Sequence, residues 1–326
     1  MSSHQQLIDA KLSIAPMMDW TDRHCRYFHR LMSKNILLYS EMVTSAALIR
    51  GNANHLLEFD ESEHPVALQL GGSDPNELTK AAVLGEKIGY DEINLNVGCP
   101  SDRVQSGAFG AVLMKTPEVV AKCCKEMISS VDKEVTVKCR VGVDQQNPDV
   151  TLPKFLELIL NAGVTRVTIH ARKAILSGLS PKQNRNIPPL NYELVYKMKE
   201  LFPDLHISLN GGIQSVQQAK LLLENGIDGV MIGRAAYQKP GEVLMNVDKY
   251  IFNEENSDVT EKDVVKQMMP YIEKQYKDGS KVSHITRHML GLFNGKPGAK
   301  GWRKILSENA HNSGPEIVLK ALSEID

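Results

Sequence analysis

The chain has 326 residues, 42% of them hydrophobic and 24% charged, with a formal net charge of -1. This is the composition of a soluble globular protein long enough for one large domain and a smaller one. No apolar run approaches the roughly 20 residues that span a bilayer and residues 1–11 lack a charged-then-apolar leader, so no membrane segment is expected and the expected location is cytoplasmic.

Eight β-rich runs recur along the chain, at residues 12–18, 36–42, 65–70, 92–97, 135–141, 166–171, 206–210 and 229–233. Helix-like segments fall between them, among them 75–89, 117–130, 152–162, 191–202 and 215–225, several ending in the glycine that a helix C-cap favours. Eight strand–helix units over about 250 residues predict a (β/α)8 TIM barrel. The competing open doubly wound sheet lacks support, because no GxGxxG follows the first strand and no Walker A sequence occurs.

Active sites of such barrels lie at the C-terminal ends of the strands. Those ends carry Met17 and Met18, Glu41, Gln69, Asn96 with Cys99, Lys138 with Arg140, His170 with Arg172, Asn210-Gly211-Gly212 and Gly233-Arg234. The run Glu92-Ile93-Asn94-Leu95-Asn96-Val97-Gly98-Cys99-Pro100 holds a thiol at a strand end beside a proline that stiffens the backbone. The glycines after the seventh and eighth strands stand where these barrels commonly hold phosphate, so a phosphorylated cofactor or substrate is expected. Five cysteines, with no CxxC pair, argue against both a disulfide framework and a zinc site, and no metal is expected.

After residue 252 the composition changes. Residues 253–258 are polar and acidic, as a linker is, and residues 259 onward have helical patterning without strand alternation. Two domains are expected: a barrel over 1–252 and a small all-helical C-terminal domain over 259–326. Between Pro270 and Lys304 eight Lys or Arg residues (274, 277, 281, 287, 296, 300, 303, 304) face two acidic ones (273, 278), a local excess of six that favours a polyanionic partner. Arg23, His24, Arg26, His29 and Arg30 add charge after the first strand, and Lys182 and Arg185 after the sixth. No heptad run or interface stripe points to an obligate protein partner.

Ala15-Pro16-Met17-Met18-Asp19-Trp20-Thr21-Asp22-Arg23, Tyr39-Ser40-Glu41-Met42, Asn94-Leu95-Asn96-Val97-Gly98-Cys99-Pro100 and Thr286-Arg287-His288-Met289-Leu290-Gly291-Leu292 resemble the tRNA-dihydrouridine synthases, A subfamily. The resemblance covers about residues 12 to 304, and Ser40 stands where threonine is expected. It implies a flavin barrel with tightly bound FMN, NADPH or NADH as electron donor, a helical tRNA-binding domain, and reduction of uridine in the tRNA D-loop at positions 20 and 20a.

Reducing the C5–C6 bond of uracil needs a hydride at C6, which is flavin chemistry, and a proton at C5, which the protein must supply. A thiol of pKa about 8.5 is mostly protonated at neutral pH, which makes Cys99 the candidate catalytic acid. The resemblance places Lys138 near the flavin pyrimidine edge. Gln69 and His170 are expected to hydrogen-bond the cofactor, and Pro16, Met17 and Met18 to line it. Asn210, Gly211, Gly212, Gly233 and Arg234 are expected around its phosphate. Asn96 is the candidate for the polar edge of the uracil, with Arg140, Lys182, Gln183, Asn184, Arg185, Asn186, Lys300 and Arg303 on the tRNA side. Two alternatives stand beside this reading: a small-molecule pyrimidine flavin oxidoreductase on the same barrel, and a non-catalytic RNA-binding protein.

Overall fold

The computed structural model describes residues 8–51, 53–101, 107–254 and 259–325. Among these residues nine strands form one parallel sheet: β1 (Leu12–Ile14), β2 (Leu38–Tyr39), β3 (Val43–Thr44), β4 (Val66–Gly71), β5 (Glu92–Val97), β6 (Glu134–Arg140), β7 (Arg166–His170), β8 (His206–Asn210) and β9 (Gly229–Ile232). Their spatial order is β1-β9-β8-β7-β6-β5-β4-β2, with β3 pairing β4. The ring closes where Ile14 N donates to Leu37 O at 3.0 Å and Leu37 N to Leu12 O at 3.1 Å, one residue before β2. The fold is a (β/α)8 TIM barrel.

Two predicted strands come out shorter or divided. The run at 12–18 stops as a strand at Ile14, because Pro16 has no N–H to offer a neighbour and Thr21 closes a turn back onto Met17 O. The run at 36–42 becomes β2 and β3: the Ser40 hydroxyl donates to Glu41 O at 2.8 Å and accepts Gln69 N at 2.9 Å, which diverts the chain between them. The helix predicted from 152 starts at Pro148, where the Asn147 side chain caps it.

Strand alternation divides the residues between two environments. Leu68, Leu70, Ile93, Leu95, Val97, Val137 and Ile169 point outward into a core shared with helix residues such as Ala81, Val120, Leu156 and Val195. Fully burying each of the larger side chains stabilises the fold by about 1.5–3 kcal/mol. Helix Pro75–Ile88 lies so close to β4 and β5 that a Cβ on Gly85 would come within 2.5 Å of Leu68 Cδ2, so Gly85→Ala would require Leu68 to shift. The inward face is different. It holds only a small apolar cluster, including Ala15, Leu37, Tyr39, Ala67 and Met231, and otherwise buried polar groups: Gln69, Glu92, Asn94, Thr136, Arg166 and Thr168.

The C-terminal region is helical, with Glu261–Lys277, Val282–Thr286, Ala299–Asn309 and Glu316–Leu322. Residues 255–258 of the expected linker lie outside the described residues. These helices seat on the side of the barrel that carries Arg23–Arg30 and Pro240–Leu244. Tyr27 stacks on Tyr271 at 3.9 Å, His24 Nδ1 lies 2.8 Å from Tyr271 Oη, and Gly241 approaches Leu292 O too closely for any Cβ. Val264, Met268, Ile285, Met289 and Trp302 join the same apolar core as the barrel's outer layer. Among the described residues no helix is long and apolar enough to cross a membrane and no group of side chains could hold a metal ion.

Candidate active site at the barrel mouth

Cys99 lies two residues past the end of β5, and its position is set by one side chain. Asn96 Oδ1 accepts the backbone N–H groups of Gly98 at 3.0 Å and Cys99 at 2.9 Å, forming an Asx turn at the strand end. The carbonyl of Cys99 accepts Ala111 N at 2.9 Å, tying it to the chain beyond residue 106. Cys99 is partly exposed, whereas Cys25, Cys123, Cys124 and Cys139 are buried, and its Sγ lies 3.5 Å from Ser101 Oγ.

Lys138, Arg140 and Arg185 lie near this thiol, and His170 lies near Lys138 and Arg140. Lys138, one place across from Asn96 on β6, donates to Asn210 Oδ1 at 3.3 Å; burial, with Arg140 adding to it, pushes its ammonium down to about 8. Burial also pushes His170 well below its usual range, and Arg140, Lys138, Arg172 and Arg185 press it the same way, so it is neutral at physiological pH. None of Lys138, Arg140, His170 and Arg172 has a carboxylate partner among the described residues. An uncompensated cluster of this kind is built for an anion.

Three arginines pin the loop that follows β7. Arg140 Nη1 donates to Lys173 O at 3.1 Å and Asn184 O at 3.0 Å, and its Nε to Gly98 O at 2.9 Å, so one guanidinium joins the Cys99 turn to this loop. Arg172 donates to Pro188 O, and Arg234 Nη1 donates to Asn186 Oδ1 at 2.8 Å and Nη2 to Arg185 O at 3.3 Å. Lys182, Gln183, Arg185 and Asn186 are exposed on that loop.

Residues 210–212 and 233–234 complete the mouth. Gly211 and Gly212 adopt φ of 114° and 75°, and a Cβ would meet His170 Cδ2 at 2.6 Å in the first and Leu190 Cδ1 at 2.6 Å in the second. Gly233 is not forced by space in this way, since a Cβ there would meet Ala15 and Met17 only at ordinary contact distances. Pro16 and Met17 are half-buried, and Met18 is 55% exposed at the turn after β1.

The arrangement suits a phosphorylated flavin. Arg172 Nε is buried and has no hydrogen-bond partner, a donor left waiting for an acceptor. The close backbone at 211–212 and the buried ammonium of Lys138 provide the narrow, electropositive surface that a flat anionic ligand requires. The resident group would be held by Lys138, His170, Arg172, Asn210 and the 211–212 and 233–234 segments.

Some residues expected to touch ligand do other work. Asn184 is 0% exposed, and its amide is committed to Ile175 N and O and to Leu179 O, so it shapes the loop. Asn96 already makes three hydrogen bonds, which leaves one N–H for a substrate. The guanidinium of Arg140 is buried and faces backbone carbonyls. Lys300 and Arg303 lie on the exposed face of Ala299–Asn309, together with Lys304. Lys296 and Arg287, counted in the basic run, are paired with Glu261 and Asp22. Sequence reasoning left Arg172 out of the cofactor set, although it stands two residues past β7; Tyr192, whose hydroxyl donates to Gly211 O, carried no signal at all.

The family model for dihydrouridine synthase (Dus) matches residues 13–326. The chain belongs to the dihydrouridine synthase family. Relatives named tRNA-dihydrouridine(20/20a) synthase include one from Escherichia coli O6:H1, 55% identical over 97% of this chain and 95% of the relative. One from Vibrio cholerae is 54% identical over 97% and 96%, and one from Escherichia coli K12 56% identical over 94% and 88%. Among solved structures, a 2-naphthoyl-CoA reductase complex superposes with a TM-score of 0.56 at 9% identity, covering 75% of this chain and 50% of that one, a likeness of fold alone. Dihydrouridine synthases are flavin-dependent, in keeping with a mouth shaped for a phosphorylated flavin.

Proposed function

We propose that this dihydrouridine synthase reduces the C5–C6 double bond of uridine to 5,6-dihydrouridine at positions 20 and 20a of the tRNA D-loop, with Cys99 as the proton donor. The relatives that carry this name align over nearly the whole chain, which supports the substrate. The observation that carries the chemistry is the partly exposed thiol of Cys99, held by Asn96 at a strand end and facing the cations of the mouth.

FMN, held by Lys138, His170, Arg172, Asn210 and the 211–212 and 233–234 segments, would provide hydride chemistry for C6, with NADPH rather than NADH as the proposed electron donor. The Cys99 thiol gives its proton to C5, and the thiolate that remains is stabilised by Lys138, Arg140 and Arg185 until solvent reprotonates it. Asn96, with its one free N–H, orients a uracil carbonyl. The target nucleotide has to be splayed out of the folded loop, which costs least for an unpaired base. Residues 1–252 form the flavin-binding catalytic unit, residues 259–326 form the tRNA-binding unit, and the enzyme works in the cytoplasm.

The test is incubation of the purified protein with NADPH and unmodified tRNA, with dihydrouridine read by nucleoside mass spectrometry. Dihydrouridine at positions 20 and 20a is expected, and free uridine should remain unreduced. Reduction of free pyrimidine but not of tRNA would favour the small-molecule oxidoreductase. A colourless protein that binds tRNA without reducing it would favour the non-catalytic alternative.

A further inference from the structure

A single file of hydrogen bonds runs through the barrel interior from β5's first residue to the Cys99 turn. The backbone N–H of Cys99 donates to Asn96 Oδ1 at 2.9 Å, and Asn96 Nδ2 donates to Gln69 Oε1 at 2.7 Å. Gln69 Nε2 donates to Asn94 Oδ1 at 2.8 Å, and Asn94 Nδ2 to Thr136 Oγ1 at 2.7 Å. The Thr136 hydroxyl then donates to Glu92 Oε1. Glu92 also accepts from Tyr39 Oη at 2.7 Å and Arg166 Nη2 at 2.7 Å.

The two ends of this file determine its direction. Backbone N–H groups can only donate, and a carboxylate held by an arginine can only accept. Every amide between them is left with one orientation, and each bond polarises the next in the same sense. Asn94 and Thr136 are buried, at 0% and 2% exposure, so a ligand contact does not account for them. An apolar interior would have filled the same space without the cost of burying a charge.

We propose that Glu92, acting through Thr136, Asn94 and Gln69, is a positioning residue that sets the rotamer of Asn96 and thereby the place of the Cys99 thiol. The inference rests on the reading of Cys99 as proton donor. Because Gln69 is also an expected cofactor contact, the file ties the flavin side of the mouth to the acid side through one amide.

Thr136→Val cuts the file at a residue remote from the ligands, and Thr136→Ser restores it. The holoenzyme variants are assayed for flavin content, for flavin reduction by NADPH, for kcat and KM with tRNA, and for the pH profile of Cys99 alkylation by iodoacetamide, located by mass spectrometry. The other four cysteines are buried, so alkylation of the native protein reports Cys99. Thr136→Val should retain flavin and accept electrons normally, lower kcat roughly tenfold or more with little change in KM, and alter the alkylation rate and its pH midpoint. Thr136→Ser should recover both. Wild-type kcat and alkylation in Thr136→Val would overturn the proposal, as would a loss that serine does not rescue, because that is a packing defect. If Cys99→Ala still reduces tRNA at the normal rate, the proton-donor reading falls. The alkylation comparison, which needs no turnover, then still decides whether the file positions the thiol.

Discussion

Arg234 and Asn186 meet at 2.8 Å across the barrel mouth, the guanidinium of one donating to the side-chain oxygen of the other. A residue that follows β9 therefore holds a loop that follows β7, so in the proposed reading the cofactor site and the substrate loop share one cation. The two roles can be separated. Arg234→Ala should lower both FMN content and tRNA affinity, whereas Asn186→Ala should keep the flavin and loosen only the loop. Flavin absorbance of the purified variants and limited proteolysis within 173–190 measure this, and undiminished flavin in Arg234→Ala would remove the residue from the phosphate site.

Cys99→Ala should retain FMN and its reduction by NADPH while slowing tRNA reduction by about 10² or more, the range for a lost proton donor. Rapid mixing of the pre-reduced enzyme with tRNA isolates that step. A normal rate of flavin reoxidation by tRNA would show that the proton comes from another group.

Lys138 makes a pH prediction. Its ammonium titrates at about 8 in the folded chain against an ordinary value of 10.5. Between these values the unfolded chain binds more protons than the folded one, so stability rises with pH across that window, and the full penalty is felt below it. Lys138→Met should therefore raise the Tm of the cofactor-free protein at pH 7, with the advantage shrinking from pH 8 to 10.5. Differential scanning fluorimetry of both proteins over this range checks it; a difference that does not vary with pH would mean that the buried charge is not the cause.

The exposed row Lys300, Arg303 and Lys304 differs from Lys296, which is paired with Glu261. Neutralising the three together should weaken tRNA binding and flatten its salt dependence by about 0.7–0.9 in slope for each phosphate left without its cation. Lys296→Ala should change the slope far less. Filter binding at several salt concentrations distinguishes the two, and equal slopes would leave the basic row as a solvated surface.

The barrel could be read from the sequence because its outward face follows a simple rule: Ile93, Leu95 and Val97 alternate with polar residues, and each run ends where glycine or a cap permits a helix. The inward face was less legible. Asn94 and Asn96 look alike in sequence, yet one is sealed in a file of amides and the other builds the turn that carries Cys99. Asn96 finds two partners locally, in Gly98 and Cys99, whereas those of Asn94, Gln69 and Thr136, come from strands 25 and 42 residues away. The basic run was visible as composition, but pairing of Arg287 with Asp22 and of Lys296 with Glu261 depends on how the C-terminal helices seat. The burial of Asn184 was hidden for the same reason: a loop that folds on itself encloses a polar residue that the sequence places in the open.

The closure of β1 against β9 has a consequence for biosynthesis. Leu12 pairs with Val230, 218 residues later in the chain. At about 5–20 residues per second, β1 waits roughly 10–40 s on the ribosome before its partner emerges. Throughout that interval one row of its backbone N–H and C=O groups is unmatched, a template for pairing with other nascent chains. The first strand is only three residues long, which leaves little edge to be captured while it waits.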